Sequence, residues 1–177
     1  MQLELPSREY KDSFIEAVRE FQADRGHVSA DTWYQKLLIS ELETDFDSFV
    51  AHERSHAQGE NLPEGYVAQS DFWLIDEGEF IGRVKIRHRL NEHLERIGGH
   101  IGYDIRPSRR RQGYGSNILK LALPKAKELG ISRVLLTCNA TNEPSRKIIE
   151  KNGGVLENRE PNPETGVDKL RYWISIE

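Results

Sequence analysis

Apolar residues recur at two different spacings near the start of the chain, and each spacing predicts one kind of element. Leu3 and Leu5 alternate with polar neighbours, which is typical of a short strand. Between Phe14 and Phe21 the apolar positions follow helical spacing, and Ser7 is placed to cap this helix. Residues 29–58 form an acidic segment that is also helical in pattern. The chain is therefore expected to begin with a strand and two helical segments.

The rest of the chain is predicted to be strands separated by turns and by two helices. The predicted strands are 72–75, 81–86, 100–105, 134–138, 155–159 and 169–176, and the predicted helices are 116–129 and 143–152. The stretch 76–78, Asp-Glu-Gly, predicts a β-hairpin between the first two of these strands. A strand–helix–strand unit over 100–138 requires its strands to pair in parallel, whereas the others are predicted antiparallel. The expected fold class is mixed α/β, with a central sheet flanked by helices.

The composition favours one soluble domain over residues 1–177, since 37% of the residues are hydrophobic and 31% are charged. A formal net charge of −4 argues against a general nucleic-acid partner. Cys138 is the single cysteine, so no disulfide can form within the chain. No signal-type or membrane-spanning apolar stretch occurs, and a cytoplasmic location with no membrane partner is expected.

A basic run enters a glycine-rich turn at residues 109–120, RRRQGYGSNILK. A P-loop would end in Gly-Lys-Ser/Thr, and a dinucleotide-binding turn would have a third glycine where Ile118 stands, so neither motif fits. The backbone amides at the start of the following helix could instead bind an anion, with the arginines adding charge-assisted contacts. The alternative is a simple helix cap with a solvated basic tail. These residues alone leave both interpretations open.

Two segments resemble the cofactor-binding motifs of the GNAT N-acetyltransferase family. RRQGYG (110–115) is similar to the signature Arg/Gln-x-x-Gly-x-Gly/Ala, and IGYDIRP (101–107) looks like the family's fourth strand and its exit. NEPS (142–145) followed by EKNG (150–153) is similar to the family's second cofactor segment. The resemblance covers residues from about 70 to 176. It implies a sheet that splays between strands four and five, and a transferase that moves acetyl from acetyl-CoA directly to a primary amine of a small molecule or peptide.

The resemblance also implies which residues bind coenzyme A. Amides from Arg111 to Ser116 would bind its pyrophosphate, and the backbone of Ile105 would pair with the pantetheine arm. The implied cofactor-binding residues are Ile105, Arg110, Arg111, Gln112, Gly113, Tyr114, Gly115, Ser116, Asn142 and Ser145. Residues 100–154 would form the cofactor-binding core, with 26–65 as an elaborated helical segment on the acceptor side. Acetyl-CoA and the amine are the expected partners, no metal is expected, and the closing strands could pair in a homodimer.

Acetyl transfer to an amine needs a base and an oxyanion donor. The base is predicted to be His100, near where the family often carries a glutamate, because an imidazole of ordinary pKa accepts a proton at neutral pH. Asp104 lies four residues further on, on the same strand face by alternation, and a His100–Asp104 pair is a hypothesis. The amide of Tyr103 would face the thioester carbonyl.

One position departs from the family pattern. The family's frequent general acid, a tyrosine four residues after the serine of the second segment, is Ile149 in this chain. Tyr114, Cys138 or solvent could substitute for it. This departure motivates an alternative from another class, a non-catalytic coenzyme A-binding or regulatory module.

A last pattern concerns charge. Arg83, Lys85 and Arg87 alternate along one strand and so share one face, which is predicted to be exposed. The acidic residues of the 29–58 segment are predicted to form a solvated face.

Overall fold

The computed structural model describes residues 1–24 and 33–176. The strands are β1 (Gln2–Glu4), β2 (Gln69–Asp76), β3 (Glu79–Arg87), β4 (Ile101–Ile105), β5 (Arg133–Asn139), β6 (Val155–Glu160) and β7 (Lys169–Ser175). The helices are α1 (Lys11–Ala23), α2 (Trp33–Lys36), α3 (Ile39–Thr44), α4 (Phe46–Ser55), α5 (Tyr114–Glu128) and α6 (Glu143–Lys151). This order confirms the predicted mixed α/β class, with most strand bounds within two or three residues of those predicted.

The strands form two sheets rather than one. Their orders are β1-β2-β3-β4 and β5-β7-β6, and every paired strand is antiparallel to its neighbour. No hydrogen-bonded ladder joins β4 to β5 within the described residues, so the parallel pairing predicted over 100–138 does not form, whereas the predicted splay between the fourth and fifth strands is confirmed. The facing edges of β4 and β5 diverge instead, which leaves an open split between the two sheets.

The predicted hairpin forms between β2 and β3. Asp76 pairs with Glu79, and the two residues between them have positive φ, +50° at Glu77 and +80° at Gly78. Two central residues with positive φ are the mark of a type I′ turn, whose twist matches that of the flanking strands.

The acidic segment folds as three short helices, not as the single long one that its pattern suggested. Asp45 separates α3 from α4, because its carboxylate accepts a hydrogen bond from the amide of Ser48 (3.1 Å) and so caps the start of α4. A break also falls at residues 37–38, between α2 and α3. Residues 29–32 of the predicted helical segment lie outside the described residues.

Strands β2 and β3 separate two hydrophobic cores. On one face, residues such as Leu74 and Val84 pack with α5 around Ile118. On the other, Trp73 stacks on Phe14 of α1, with ring centroids 4.6 Å apart and planes inclined by 7°. The sheet is therefore covered on both sides. The alternating basic residues of β3 were expected to form an exposed face, but this covering buries Arg83, which is 2% exposed.

Candidate active site

The free edge of β4 points hydrogen-bonding groups into the split. Backbone groups of β3 bond the backbone of His100 and of Arg106, with N···O distances of 2.8 Å in both cases. Because the direction of these groups alternates along an antiparallel strand, the N–H and C=O of Tyr103 and Ile105 face away from β3. The Ile105 carbonyl there accepts a hydrogen bond from Arg110 Nε (3.1 Å). The split thus has one wall able to pair with an extended ligand, as an added strand would.

His100 closes the other end of the split. Its backbone N–H donates to the Leu135 carbonyl (2.7 Å), and its ring Nδ1 accepts from the Leu135 N–H (3.0 Å). Burial, with a smaller contribution from the Arg87 charge, lowers the pKa of the His100 imidazole to about 4. Since Nδ1 accepts a hydrogen bond, the neutral ring carries its proton on Nε2 and has no lone pair left for another. This arrangement argues against the predicted role of His100 as the base.

The structure does not bring His100 and Asp104 together either. Four residues of extended chain place their Cα atoms about 13 Å apart. The Asp104 carboxylate accepts a hydrogen bond from the Tyr34 hydroxyl (2.5 Å), whereas the His100 ring bonds β5. The hypothesis of a His100–Asp104 pair is therefore wrong, because strand alternation fixes a shared face but not a shared position along it.

Asp104 instead belongs to a buried polar group on the face of the sheet that α1 and α2 cover. Arg83 Nε lies 3.7 Å from its carboxylate, and Arg83 Nη1 lies 3.9 Å from the carboxylate of Asp71. The Arg83 guanidinium stands 3.6 Å from the centroid of the Trp33 ring, a cation–π geometry. The sequence interpretation missed Tyr34, whose contact spans 70 positions and has no local signal.

The turn before α5 has the backbone shape of an anion site. Arg111 has φ of +60° and Gly113 has φ of +88°, and a Cβ at Gly113 would meet nothing within 4 Å. In the described part of the chain, the backbone N–H groups of residues 111–115 donate no hydrogen bond. Those near the helix start add to the positive end of its dipole. The turn fits a pyrophosphate because unpaired amides and open space coincide there.

Two of the three arginines that were predicted to add charge-assisted contacts to an anion pair with acidic residues of the chain. Arg109 pairs with Glu79 of β3, and Arg110 pairs with Asp24 at the end of α1. Both pairs fasten the turn to the sheet and to α1. Arg111 is exposed, and among the described residues no acid pairs with it. Only Arg111 of the three remains available to a ligand's charge.

Several other predicted site residues have structural partners of their own. A Cβ at Gly115 would lie 2.6 Å from Ile148 Cδ1, so this glycine allows α5 to approach α6 as well as a ligand. Gln112 Nε2 donates to the Ser108 carbonyl (3.1 Å). The Ser116 carbonyl accepts from Asn152 Nδ2 (3.2 Å), which links the helix start to the end of α6.

A pair of hydroxyl groups crosses the split. Tyr103 Oη of β4 lies 3.3 Å from Ser145 Oγ of α6. Burial raises the pKa of the Tyr103 phenol to about 12, so it stays protonated at neutral pH. Asn142 does not reach this pair through its side-chain oxygen, which accepts from the Ser145 N–H (3.1 Å) and caps α6. This geometry fixes Ser145 through its backbone and leaves its hydroxyl in the split.

The family's tyrosine position and its two predicted substitutes, Tyr114 and Cys138, differ in where they lie. Ile149, at the family's tyrosine position, is buried in the core beside α5. The Tyr114 hydroxyl donates to Asp76 (2.9 Å) at the hairpin, away from the Tyr103–Ser145 pair. Cys138 is buried beside Ser145, and burial raises the pKa of its thiol. The hydroxyls of Tyr103 and Ser145 therefore bond each other, whereas that of Tyr114 bonds the hairpin.

Known proteins with a similar sequence profile or a similar structure are acetyltransferases. The profile of the Acetyltransferase (GNAT) domain matches residues 15–155. RimL, the ribosomal L7/L12 α-N-protein acetyltransferase solved with coenzyme A, has a similar structure, with a TM-score of 0.70, 19% identity, and coverage of 98% of this chain and 93% of that chain. The microcin C7 self-immunity acetyltransferase MccE, solved with acetyl-CoA and AMP, gives a TM-score of 0.67, 17% identity, and coverage of 98% and 91%.

A third solved structure is the Salmonella typhimurium acetyltransferase that modifies the N-terminal serine of ribosomal protein L7/L12. It gives a TM-score of 0.64, 17% identity, and coverage of 99% of this chain and 94% of that chain. At these identities the structures show a shared fold. No curated protein sequence matches the chain significantly. None of the described helices is long and apolar enough to span a membrane.

Proposed function

The chain belongs to the GNAT family and is an acetyl-CoA-dependent acyltransferase, and we propose that it acetylates the α-amine at the N-terminus of a peptide or protein. The observation that carries the site assignment is the split between β4 and β5. One wall of this split has outward backbone groups at Tyr103 and Ile105, and it leads to the unpaired amides of residues 111–115. Acetyl-CoA supplies the activated acetyl group, and the chain's own residues bind it and manage the protons.

Cofactor binding follows from the shape of the split. The amides of residues 111–115 bind the pyrophosphate, with Arg111 adding a positive charge. The backbone of Ile105 pairs with the pantetheine amides as a neighbouring strand would. The sulfur lies beside the Tyr103–Ser145 hydroxyl pair, a proposal supported by the position of this pair between β4 and α6.

The acetyl transfer needs three groups around the thioester. The Tyr103 N–H points into the split and donates to the oxyanion that develops on the carbonyl. Asp104 accepts the proton of the attacking amine. Its carboxylate, which accepts a hydrogen bond from the Tyr34 hydroxyl, lies on the face of β4 opposite to the Tyr103 side chain. Of the bonded Tyr103 and Ser145 hydroxyls, one donates to the other, and the second donates its hydrogen bond to the departing thiolate.

Two similar solved structures and the polar residues of the site support a peptide N-terminus as the acceptor. RimL and the Salmonella enzyme act on the N-terminus of a ribosomal protein, and both cover almost the whole of this chain. The N-terminal ammonium group loses a proton to Asp104, whose carboxylate also lies 3.7 Å from Arg83 Nε. A peptide also has backbone groups that can bond to the polar residues beside Asp104, which a simple polyamine lacks.

The test is release of coenzyme A thiol from acetyl-CoA with matched acceptors. Short peptides with a free N-terminus are compared with the same peptides blocked by N-formylation, and with polyamines and aminoglycosides. Turnover with free but not blocked peptides is expected. Turnover confined to the small-molecule amines would contradict the proposed acceptor class. If coenzyme A binds but none of the acceptors causes release of its thiol, N-acetyl transfer itself would be contradicted.

A further inference from the structure

Four titratable side chains meet where the end of α4 packs against β2. Three come from the stretch His52-Glu53-Arg54-Ser55-His56, which places two histidines four positions apart with a glutamate between them. The fourth is Asp71 of β2, whose Oδ2 lies 3.8 Å from His56 Nδ1. The His-Glu-x-x-His spacing puts both imidazoles on one side of a helix, and it is the sequence signal that the expectation of no metal overlooked.

The distances within this cluster suit a single small ion. Ligand atoms of His52, Glu53 and His56 all lie within 4.8 Å of one another. The rings of the two histidines have centroids 4.9 Å apart. Around a tetrahedral zinc ion, with bonds of about 2.0–2.2 Å, neighbouring ligand atoms lie about 3.4 Å apart. Movements of the ligand atoms by about 1 Å would therefore allow all three side chains to bind one ion.

A second, independent observation is that several polar atoms of this cluster are buried without a hydrogen bond. Glu53, His56 and Asp71 are only 4%, 8% and 3% exposed. Neither ring nitrogen of His56 has a hydrogen-bond partner, and Asp71 Oδ1 has no hydrogen bond although Arg83 Nη1 lies 3.9 Å from it; all three atoms are buried. Buried polar atoms are almost always paired in folded proteins, because leaving them unpaired costs the free energy of their lost hydration. Something that bonds to nitrogen and oxygen is therefore expected in this space.

We propose that His52, Glu53 and His56 bind a zinc ion, with Asp71 completing the ligand set. Imidazole together with carboxylate is a donor set that zinc accepts readily, whereas magnesium and calcium prefer oxygen ligands alone. His52 is exposed and gives the ion a path from solvent. The ion would tie α4 to β2. Arg83 lies between Asp71 and Asp104, with N···O distances of 3.9 and 3.7 Å, but the proposal does not rest on acetyl transfer.

The first experiment is calorimetric titration of zinc chloride into tag-free protein that has been stripped of metal with a chelator and dialysed. One zinc ion per chain at micromolar or tighter Kd is expected, together with a rise in Tm. Cobalt added in place of zinc should give the visible absorption of a tetrahedral site. Absence of stoichiometric zinc binding by the folded protein would overturn the proposal.

Variants locate the ion. His52→Ala changes an exposed residue and should fold normally, and His56→Ala removes the buried ligand. Loss of a residue that only hydrogen-bonds to a metal ligand weakens metal binding roughly 10- to 100-fold in other sites. Each of these variants removes a ligand itself and should weaken zinc binding at least as much. His93→Ala, an exposed histidine outside the cluster, is the matched control and should leave the Kd unchanged. Equal zinc affinity in His52→Ala and the unaltered protein would show that the ion binds elsewhere.

Discussion

His100 and Leu135 hold each other through two hydrogen bonds, one from the His100 N–H to the Leu135 carbonyl and one from the Leu135 N–H to the His100 ring. This contact joins β4 to β5 at the point where the two sheets meet, and beyond it the strands separate. The width of the split at the cofactor site therefore depends on this pair. A residue that the sequence suggested as the catalytic base is a structural link between the sheets.

Acid should loosen this link. The folded-state pKa of His100 is lowered to about 4 from 6.5, so the unfolded chain binds the proton more readily, and the stability present above pH 6.5 is lost as pH falls toward 4. From pH 7 to pH 5 the free energy of unfolding should drop by about 1 kcal/mol from this group, after allowance for its partial exposure.

The variant for this measurement is His100→Asn. The Asn side-chain oxygen can accept the Leu135 N–H bond in place of Nδ1, and it does not titrate. Urea unfolding at pH 7 and pH 5 should show a smaller pH dependence in the variant, and acetyl transfer should persist. Identical pH dependence in both proteins, or a turnover loss of about 100-fold or more as expected for a missing base, would contradict the structural role.

Gly99 should be essential to the same link. It has φ of +69°, and a Cβ there would lie 2.6 Å from the Leu135 carbonyl oxygen, which is fixed backbone. Gly99→Ala should destabilise the fold by about 2–4 kcal/mol, because positive φ with ψ of −178° is a conformation open essentially to glycine and because the Cβ clashes. Scanning calorimetry should show Tm lowered by about 5–15 °C. Gly102→Ala, where a Cβ meets nothing within 4 Å, is the control, and an equal loss in both variants would refute the prediction.

Coenzyme A binding should depend on the charge at Gly113. Its φ of +88° strains any side chain, but Asn and Asp tolerate this region best and are strained alike. Gly113→Asn and Gly113→Asp therefore form a matched pair that differs by one negative charge beside the pyrophosphate. Calorimetry should show the Asp variant binding coenzyme A at least about tenfold more weakly than the Asn variant. Equal affinities with unchanged Tm would exclude residues 111–115 as the phosphate site.

Asp104 should control the attack of the amine. Asp104→Asn keeps the shape of the side chain but removes the proton acceptor, and kcat/KM should fall by about 10²–10⁴ while the Kd for acetyl-CoA stays unchanged. The loss should shrink at high pH, where the amine is already neutral. Tyr34→Phe removes one hydrogen bond from the same carboxylate and should cost less. A pH-independent loss in Asp104→Asn would show that the residue acts by position alone.

The Tyr103 and Ser145 hydroxyls should act as one unit on the leaving thiolate. Each of Tyr103→Phe and Ser145→Ala should lower kcat by about 10- to 100-fold, with a smaller further loss in the double variant because the two groups bond each other. The cap of α6 uses the Ser145 amide, so Ser145→Ala should not lower Tm. Full turnover in the double variant would mean that solvent protonates the thiolate.

Local patterns were enough to predict the order of the strands, the hairpin at Glu77-Gly78 and the glycine turn at Gly113. Each depends on residues close in the chain: apolar periodicity selects strand or helix, and positive φ selects glycine. The resemblance of residues 110–115 to a family signature is local in the same way. For this reason the family itself was readable before any contact was known.

Contacts between distant residues decided the rest of the site. Whether His100 is a base depends on Leu135, which lies 35 positions away, and the setting of Asp104 depends on Tyr34, which lies 70 positions away. Alternation placed Arg83 on the correct face of β3, but only the packing of α1 and α2 over that face made it buried. Sequence periodicity reports the direction of a side chain. Its partners, and hence its protonation and role, are set by which elements pack against it.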